Sequence, residues 1–350
     1  MIRRGAVHGA ALILVLIWTV PVLGLVITSF RDRAQILETG WWQIAAENRA
    51  VRAMRLDPGR GDLLVPGERL IGWGIAARAP AAFPPGAVAD LPRGQLTVDA
   101  QGHYRLDVPG PPTRVFVTVA SRPQLTLANY RQVLGDPGVW AALGHTLVVT
   151  IPAVVLPVLL AAFAAYALVF LPVPGRAVLI AVIVGLLAVP LQLTLIPVLR
   201  IYTALGIGHS YIGIWLAHTA FGLPVAIWLL RNAMQAVPHA SIAAARIDGA
   251  AEFTIFRRIA LPLSLPAIAA LSIFQFLWVW NDLLLATVFL GSTPDRQVLT
   301  GLLRDLLGSH GGAWQVLTAS AVVSIIVPVV VFFGLQRALI RGLMAGTAED

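Results

Sequence analysis

Four polar or aromatic side chains lie close together near the end of a strongly apolar stretch. Gln275, Trp278 and Asp282 are separated by three and four residues, so a helix would place them on one face, and Asn281 precedes Asp282. Polar groups inside a membrane are costly, which makes each of them a candidate for function. A tryptophan ring can cover the apolar C–H face of a sugar, while amide and carboxylate groups exchange hydrogen bonds with its hydroxyls. The pattern therefore predicts a path for a polar solute such as a sugar.

The same residues have a structural alternative. Asn281 and Asp282 could instead cap or pair with neighbouring helices, and the tryptophans could form a belt at the membrane interface. In an earlier apolar stretch, Gln192 and Thr194 could line the same path, although Thr194 could instead bond its own helix backbone. His218 could relay protons, but because the sequence reveals no partner for it, a packing role is favoured.

The sequence lacks the residue patterns of a catalytic site. It contains no His-Glu-x-x-His motif, no nucleophile elbow and no paired carboxylates within an apolar stretch. With no cysteine, disulfides and thiolate metal sites are excluded. All 25 basic residues are arginine, so the lysine of an ATP-binding P-loop is missing. We therefore expect a non-catalytic chain without a cofactor of its own, and any ATP that drives it must bind to another subunit.

The composition indicates that the chain lies in a lipid bilayer. Of its 350 residues, 58% are hydrophobic and 12% charged, and the mean hydropathy is +0.81. A soluble domain cannot bury so much apolar surface. Six stretches reach the roughly 20 residues that cross a bilayer as a helix. They are approximately 6–29, 143–169, 177–199, 210–230, 265–290 and 316–335. We therefore predict an all-α polytopic membrane protein with six transmembrane helices.

The arginines are unevenly distributed in this topology. With a cytoplasmic N-terminus, nine arginines of the tails and loops lie on the cytoplasmic side: Arg3, Arg4, Arg176, Arg231, Arg246, Arg257, Arg258, Arg337 and Arg341. The short loops on the opposite side contain only Arg200, Arg296 and Arg304. Because positive residues favour the cytoplasmic side, we predict that both termini are cytoplasmic and that the first span is an uncleaved anchor. The net charge of +8 then reflects topology rather than nucleic-acid binding.

A long insert, residues 31–138, interrupts the apolar pattern and is rich in proline and glycine. Residues 96–108 alternate as in a β-hairpin, and 114–119 are a further strand candidate. We predict a β-rich, extracytoplasmic insert between helices 1 and 2, because long loops cross the membrane largely regardless of charge. Trp41 and Trp42 are expected at the membrane interface or, alternatively, at a partner-binding surface. The predicted parts of the chain are 1–30 (tail and first helix), 31–138 (insert), 139–336 (five-helix core) and 337–350 (cytoplasmic tail).

One cytoplasmic segment, residues 237–262, has the pattern of two short helices joined by a glycine. Pro238 can open a helix because its missing N–H would be unpaired there. Gly249 can adopt the left-handed backbone that ends a helix. A second helix is predicted over 250–260, ending before Leu261. Helix, glycine elbow and helix on the inner face of a membrane protein form a lever that can dock with a partner.

This segment resembles the coupling loop of ABC-importer permeases. The family motif has Glu-Ala-Ala, three residues, Gly and, further on, Ile-x-Leu-Pro; its places are occupied here by Ala243, Ala244, Ala245, Gly249, Ile259 and Pro262. Residues 246–250, which include Asp248, look like the version of the carbohydrate class, to which the maltose transporter belongs. One departure is that Ala243 replaces the motif glutamate, which removes any salt bridge that the glutamate would make.

The resemblance extends to the insert. Residues 29–33, 40–42, 83–86 and 91–94 look like parts of the insert of alpha-glucoside permeases, and residues 125–130 are similar to a stretch that many carbohydrate permeases carry. The family implies the type I permease fold in the bacterial inner membrane. It also implies a dimer of ATPase subunits that bind ATP and Mg²⁺, a second permease and an extracytoplasmic sugar-binding protein.

The residues leave a second function open. A stand-alone secondary transporter would use His218 or Asp282 to couple solute movement to protons, and the segment 237–262 would then be incidental. The two functions differ in their energy source, which is ATP in the first and the proton gradient in the second.

Overall fold

A computed structural model describes residues 2–45, 47–92, 94–107, 111–122, 125–309 and 313–345. The chain forms two compact units, which we describe separately. The first comprises Met1–Val133 and Gly312–Val322, and the second comprises Leu134–Gly311 and Val323–Asp350.

The first unit begins with a long apolar helix, α1 (Ile2–Ser29), followed by the short helix α2 (Arg33–Glu38). The Asp32 carboxylate caps α2 by accepting a hydrogen bond from the Gln35 backbone N–H at 2.9 Å. A turn at Trp41–Gln43 then brings the Trp41 ring against α1, where a β-carbon added at Gly24 would lie 2.9 Å from it. The glycine thus makes room for the indole.

In the described part of the insert, seven antiparallel strands occur: β1 (Asn48–Leu56), β2 (Gly59–Asp62), β3 (Glu68–Gly74), β4 (Val88–Leu91), β5 (Gly94–Val98), β6 (His103–Asp107) and β7 (Thr113–Ser121). They form one sheet in the order β1-β7-β3 and another in the order β2-β6-β5-β4. The predicted hairpin is confirmed as β5 and β6, and the predicted strand at 114–119 as β7. Both sheets contribute to one core around Trp73 and Leu96, which are completely buried.

The two ends of the insert meet. Asn48 at the start of β1 lies opposite Ser121 at the end of β7. Just beyond, the Asn129 amide of helix α3 (Ala128–Gly135) donates hydrogen bonds to the carbonyls of Ser29 and Arg31 at 2.8 and 2.9 Å. Because Ser29 ends α1 and Arg31 follows it, the stretch 125–130 fastens the end of the insert to the end of the first helix.

The second unit is helical. Its elements are α4 (Pro137–Phe170), α5 (Arg176–Leu186), α6 (Leu191–Ala204), α7 (Tyr211–Gln235), α8 (His239–Ile247), α9 (Glu252–Ile255), a π-helical turn (Phe256–Ala260), α10 (Leu261–Leu263), α11 (Leu265–Trp280), α12 (Leu284–Leu290) and α13 (Leu299–Ser309). A last helix, α14 (Trp314–Ala345), begins in the first unit and continues into the second. Buried alanines of α4, among them Ala161 and Ala165, pack in one core with Ala226 and Leu230 of α7. Small residues allow such helices to approach closely.

Among the described residues, four helices are long and apolar enough to cross a membrane: Val7–Ser29, Pro137–Phe170, Tyr211–Gln235 and Trp314–Arg337. Two bent helix pairs raise the number to six if each pair is one span. They are Arg176–Leu186 with Leu191–Ala204, bent by 105°, and Glu252–Leu263 with Leu265–Trp280, bent by 74°.

Two predicted spans are therefore not continuous helices. Within 177–199 the helix breaks before Pro190, which precedes α6 and disfavours a helical conformation of the residue before it. Within 265–290 it ends at Trp280 and restarts at Leu284, where Asp282 accepts hydrogen bonds from the backbone N–H groups of Leu284 and Leu285.

Candidate functional site

The segment 237–262 folds as two helical pieces about a glycine elbow, as predicted. Helix α8 follows Pro238, and Gly249 has φ of +75°, a left-handed conformation. The N–H of Ala250 donates to the Ala245 carbonyl at 3.0 Å and so closes the end of α8. We call residues 238–263 the hairpin.

The second half of the hairpin differs from the prediction. It begins at Glu252 rather than 250 and continues beyond Leu261 and Pro262 to Leu263. The preceding turn, Phe256–Ala260, is π-helical, with the Leu261 N–H bonded to the Phe256 carbonyl. A wider turn accommodates Pro262, which has no N–H and would press on the backbone of a regular α-helix one turn earlier.

The motif residues are divided between two faces of the hairpin. Ala243, Ala244, Asp248, Gly249 and Pro262 are exposed, whereas Ala245 and Ile259 are half-buried. On its buried face, helix α8 packs through Ile242, which is 1% exposed. At the outer end, Ile247 is 86% exposed and Phe253 is 62% exposed. Exposed large apolar side chains, together with exposed alanines on the same hairpin, are typical of a docking surface.

A polar network, which the sequence did not reveal, fixes the hairpin. The Arg246 Nε donates to Glu252 Oε1 at 2.7 Å, and its Nη2 donates to the Phe170 carbonyl at 2.8 Å. The Tyr166 hydroxyl donates to Glu252 Oε2 at 2.6 Å. The hydrogen bond with Glu252 raises the pKa of the Arg246 guanidinium. We call these four residues the Arg246 clamp. The only sequence signal was an Arg and a Glu placed either side of the elbow.

The predicted pathway residues do not form one surface in this structure. Trp278 lines a cavity of about 450 Å³ together with Thr194, Tyr202, Phe221 and other mostly apolar residues. Gln275 is 2% exposed and donates to the Ala153 carbonyl at 3.2 Å. It therefore occupies a helix contact between α11 and α4. Gln192 is exposed on α6.

Asn281 and Asp282 end one helix and start the next. The Asn281 amide donates to the Leu277 carbonyl at 2.8 Å, and the Asp282 carboxylate caps α12. Asp282 Oδ2 also lies 3.5 Å from His218 Nε2, and the His218 ring meets the Trp278 ring edge-on at 5.3 Å. The capping alternative thus describes these two residues, and His218 has a partner that the sequence did not show.

No metal site appears among these groups. Across the part of the chain that the structure describes, no three His, Cys, Asp or Glu side chains come together in a way that could hold a metal ion. The polar groups described in the second unit cap helix ends, fix the hairpin or line the wall of one cavity.

Comparison with known proteins gives consistent matches. The family described as "Binding-protein-dependent transport system inner membrane component" matches residues 145–344. The chain is 48% identical to the alpha-glucoside transport system permease protein AglG of Rhizobium meliloti, over 98% of this chain and 97% of that protein. It is 40% identical to the osmoprotective compounds uptake permease protein GgtD of Synechocystis, over 98% and 92%.

A solved structure is also similar. It belongs to a bacterial ABC transporter involved in the import of the acidic polysaccharide alginate, with a TM-score of 0.53 and 25% sequence identity. The match covers 62% of this chain and 81% of that one.

The contact between Gln275 and Gly222 gives a test of the helix packing. A β-carbon at Gly222 would lie 2.7 Å from Gln275 Nε2, so Gly222→Ala must displace the amide from the Ala153 carbonyl. We expect Gly222→Ala to destabilise the purified chain by about 1–3 kcal/mol, the range for overpacking, measured as a lower melting temperature. Gly185→Ala is the control, because open space surrounds Gly185 in α5. Adding Gln275→Ala should recover much of the loss; equal melting temperatures of Gly222→Ala and Gly185→Ala would contradict the packing.

Proposed function

Because the chain belongs to the family of inner-membrane components of binding-protein-dependent transport systems, we propose that it is a permease subunit of an ATP-driven carbohydrate importer. It forms half of the translocation pathway and couples to an ATPase subunit through residues 237–262. The observation that carries the proposal is the hairpin: a rigid elbow whose small, exposed alanines and protruding Ile247 suit insertion into a groove of another protein.

The partners follow from this role. A dimer of ATPase subunits binds ATP and Mg²⁺, a second permease completes the pathway, and an extracytoplasmic binding protein delivers the solute. This chain is non-catalytic and binds no cofactor. When the ATPase subunits close on ATP, they push the hairpins, and the spans convert this displacement into a switch between inward-facing and outward-facing states. Family membership favours this function over proton-coupled secondary transport.

The solute is proposed to be an alpha-glucoside. The permease AglG, whose name states that substrate class, is 48% identical over nearly the whole chain, and the insert is included in that similarity. Trp278 offers a ring at the wall of the cavity between α6, α7 and α11. Gln192 and the polar groups at 281–282 lie on or beside the same helices, and we propose that they approach the solute when the broken spans move. Gln275 then acts by holding α11 against α4.

The proposed orientation places both termini and the hairpin in the cytoplasm and the β insert outside. Its support is the arginine asymmetry of the short loops. In this orientation, the exposed end of the hairpin faces the ATPase subunits, and the insert faces the binding protein.

The elbow gives the direct test of coupling. We expect Gly249→Val to abolish ATP-dependent uptake of maltose by the reconstituted complex, because a β-branched residue is strained at φ of +75°. Gly249→Asn is the matched control, since asparagine tolerates the left-handed region, and it should retain most uptake. Both variants should insert into the membrane normally. Full uptake by Gly249→Val, or uptake that follows the proton gradient without ATP, would refute the coupling assignment.

The pathway assignment is tested at Trp278. We expect Trp278→Ala to raise the KM for maltose by about fivefold, as expected for loss of one aromatic contact, while Trp278→Phe stays near the wild type. The measurement is initial uptake across a range of maltose and trehalose concentrations. Identical kinetics for all three proteins would assign Trp278 to packing against His218 alone.

The orientation can be read from thiol labelling, because the natural chain contains no cysteine. We expect a membrane-impermeant maleimide to label Val88→Cys in intact spheroplasts, since Val88 lies on the insert and is 50% exposed. Ile247→Cys, which is 86% exposed on the hairpin, should react only after the membrane is permeabilised. The reverse labelling pattern would show that the hairpin lies outside the cytoplasm and the insert inside it.

A further inference from the structure

The hairpin packs against α4 and α7 and continues into α11 through a bend. We propose that the Arg246 clamp transmits the displacement of the hairpin to α4, whereas the junction with α11 at Ser264 is a hinge. This inference rests on the proposed function and specifies which helix receives the push. It assigns Arg246, Glu252 and Tyr166 as positioning residues for coupling.

The first part of the attachment is polar. Phe170 is the last residue of α4, and its carbonyl is among those that a helix end leaves without an intrahelical partner. The Arg246 guanidinium occupies this place, where the negative end of the helix dipole favours a cation. The same guanidinium binds Glu252, and Glu252 in turn accepts a hydrogen bond from Tyr166, one turn earlier in α4. Both halves of the hairpin are therefore tied to the same end of one helix.

The second part of the attachment is apolar and lies beneath the polar one. The Phe256 ring, 6% exposed, stacks on Phe163 at 4.8 Å and meets Tyr166 edge-on at 5.3 Å between ring centres. On the other half of the hairpin, the His239 ring lies 5.3 Å from Phe170. Close-packed interiors transmit displacement rather than absorb it, so a push on the hairpin moves the end of α4.

The connection to α11 runs through a bend, beyond which Leu271 of α11 packs in the same core as Phe256 and Ala260. The chain bends by 74° between Glu252–Leu263 and Leu265–Trp280. Pro262 and Pro266 on either side of the bend donate no backbone hydrogen bond, and the widened turn Phe256–Ala260 precedes it. Ser264 at the bend is 2% exposed, and its hydroxyl has no hydrogen-bond partner within the described residues. Sharp kinks occur at prolines and at π-helical turns, and we assign the hinge to this bend.

Helix α4 also reaches the opposite end of the unit. Its 34 residues span roughly 50 Å at 1.5 Å per residue. Near its start, the Thr146 hydroxyl accepts a hydrogen bond from the Leu299 N–H at 2.8 Å, and His145 Nδ1 lies 3.1 Å from the Gln297 carbonyl. These contacts hold the beginning of α13. A displacement applied to α4 at Phe170 can therefore be transmitted along the helix to Thr146 and move the segment 297–299.

The test is the ratio of maltose transported to ATP hydrolysed by the complete complex in proteoliposomes. The variants are Arg246→Glu, Glu252→Arg, their combination and Tyr166→Phe. Arg176→Gln, an exposed arginine at the start of α5, controls for loss of charge. We expect each charge reversal to lower the ratio by about tenfold, within the usual range of coupling between sites, while the ATPase subunits still assemble and hydrolyse ATP.

The combined variant should recover part of the ratio, because it restores an ion pair although it cannot bind the Phe170 carbonyl. Tyr166→Phe removes a single hydroxyl and keeps the aromatic contacts. If charge reversal disrupts assembly, this variant still tests the clamp. We expect its ratio of maltose transported to ATP hydrolysed to fall by severalfold. A wild-type ratio in Tyr166→Phe, or transport and hydrolysis that fall in proportion, would overturn the inference. If the wild-type complex itself does not couple ATP to maltose entry, the proposed function fails instead.

Discussion

Backbone polar groups in the apolar part of this chain must find partners within the protein, because hydrocarbon offers none. Where the helices are regular, the requirement is met automatically. Where they break, the chain supplies a specific device: Pro190 removes an N–H before α6, and Asp282 accepts two backbone N–H groups at the start of α12. One break is thus set by a proline and the other by a capping carboxylate, and the residues proposed to line the pathway lie beside these breaks.

The sequence predicted the features that local chemistry determines. Apolar length revealed the helices, and alternation revealed the β5–β6 hairpin of the insert. The elbow was predictable because a left-handed residue at the end of a short helix requires glycine, and Gly249 adopts that conformation. The predicted end of the second helix of the hairpin, before Leu261, was wrong. The prediction assumed that a proline ends a helix and did not allow for a π-helical turn. This turn lets the backbone pass Pro262 without a clash.

Contacts between residues that are far apart in the sequence could not be predicted from local chemistry. Gln275 has the spacing of a pathway residue, but it faces Gly222 and the Ala153 carbonyl, which lies 122 residues away in the sequence. Tyr166 and Glu252 are 86 residues apart. The sequence showed no partner for His218, because Asp282 lies 64 residues away between α11 and α12. One chain gives no signal for these pairs, since each depends on how the helices pack rather than on local spacing.

The distribution of rigid and bent parts bears directly on how such a chain can work. A lever needs a stiff arm and a place where it can turn. Small residues make the contact of α4 with α7 close, and the Arg246 clamp with the Phe256 ring adds the hairpin to this block. A bend of 74° separates the hairpin from α11, and a bend of 105° separates α5 from α6; α11 and α6 carry Trp278 and Thr194 at the cavity wall. Under the proposed function, a push on the hairpin would shift this block, whose helix α7 forms one wall of the cavity, against the bent spans that form the other walls.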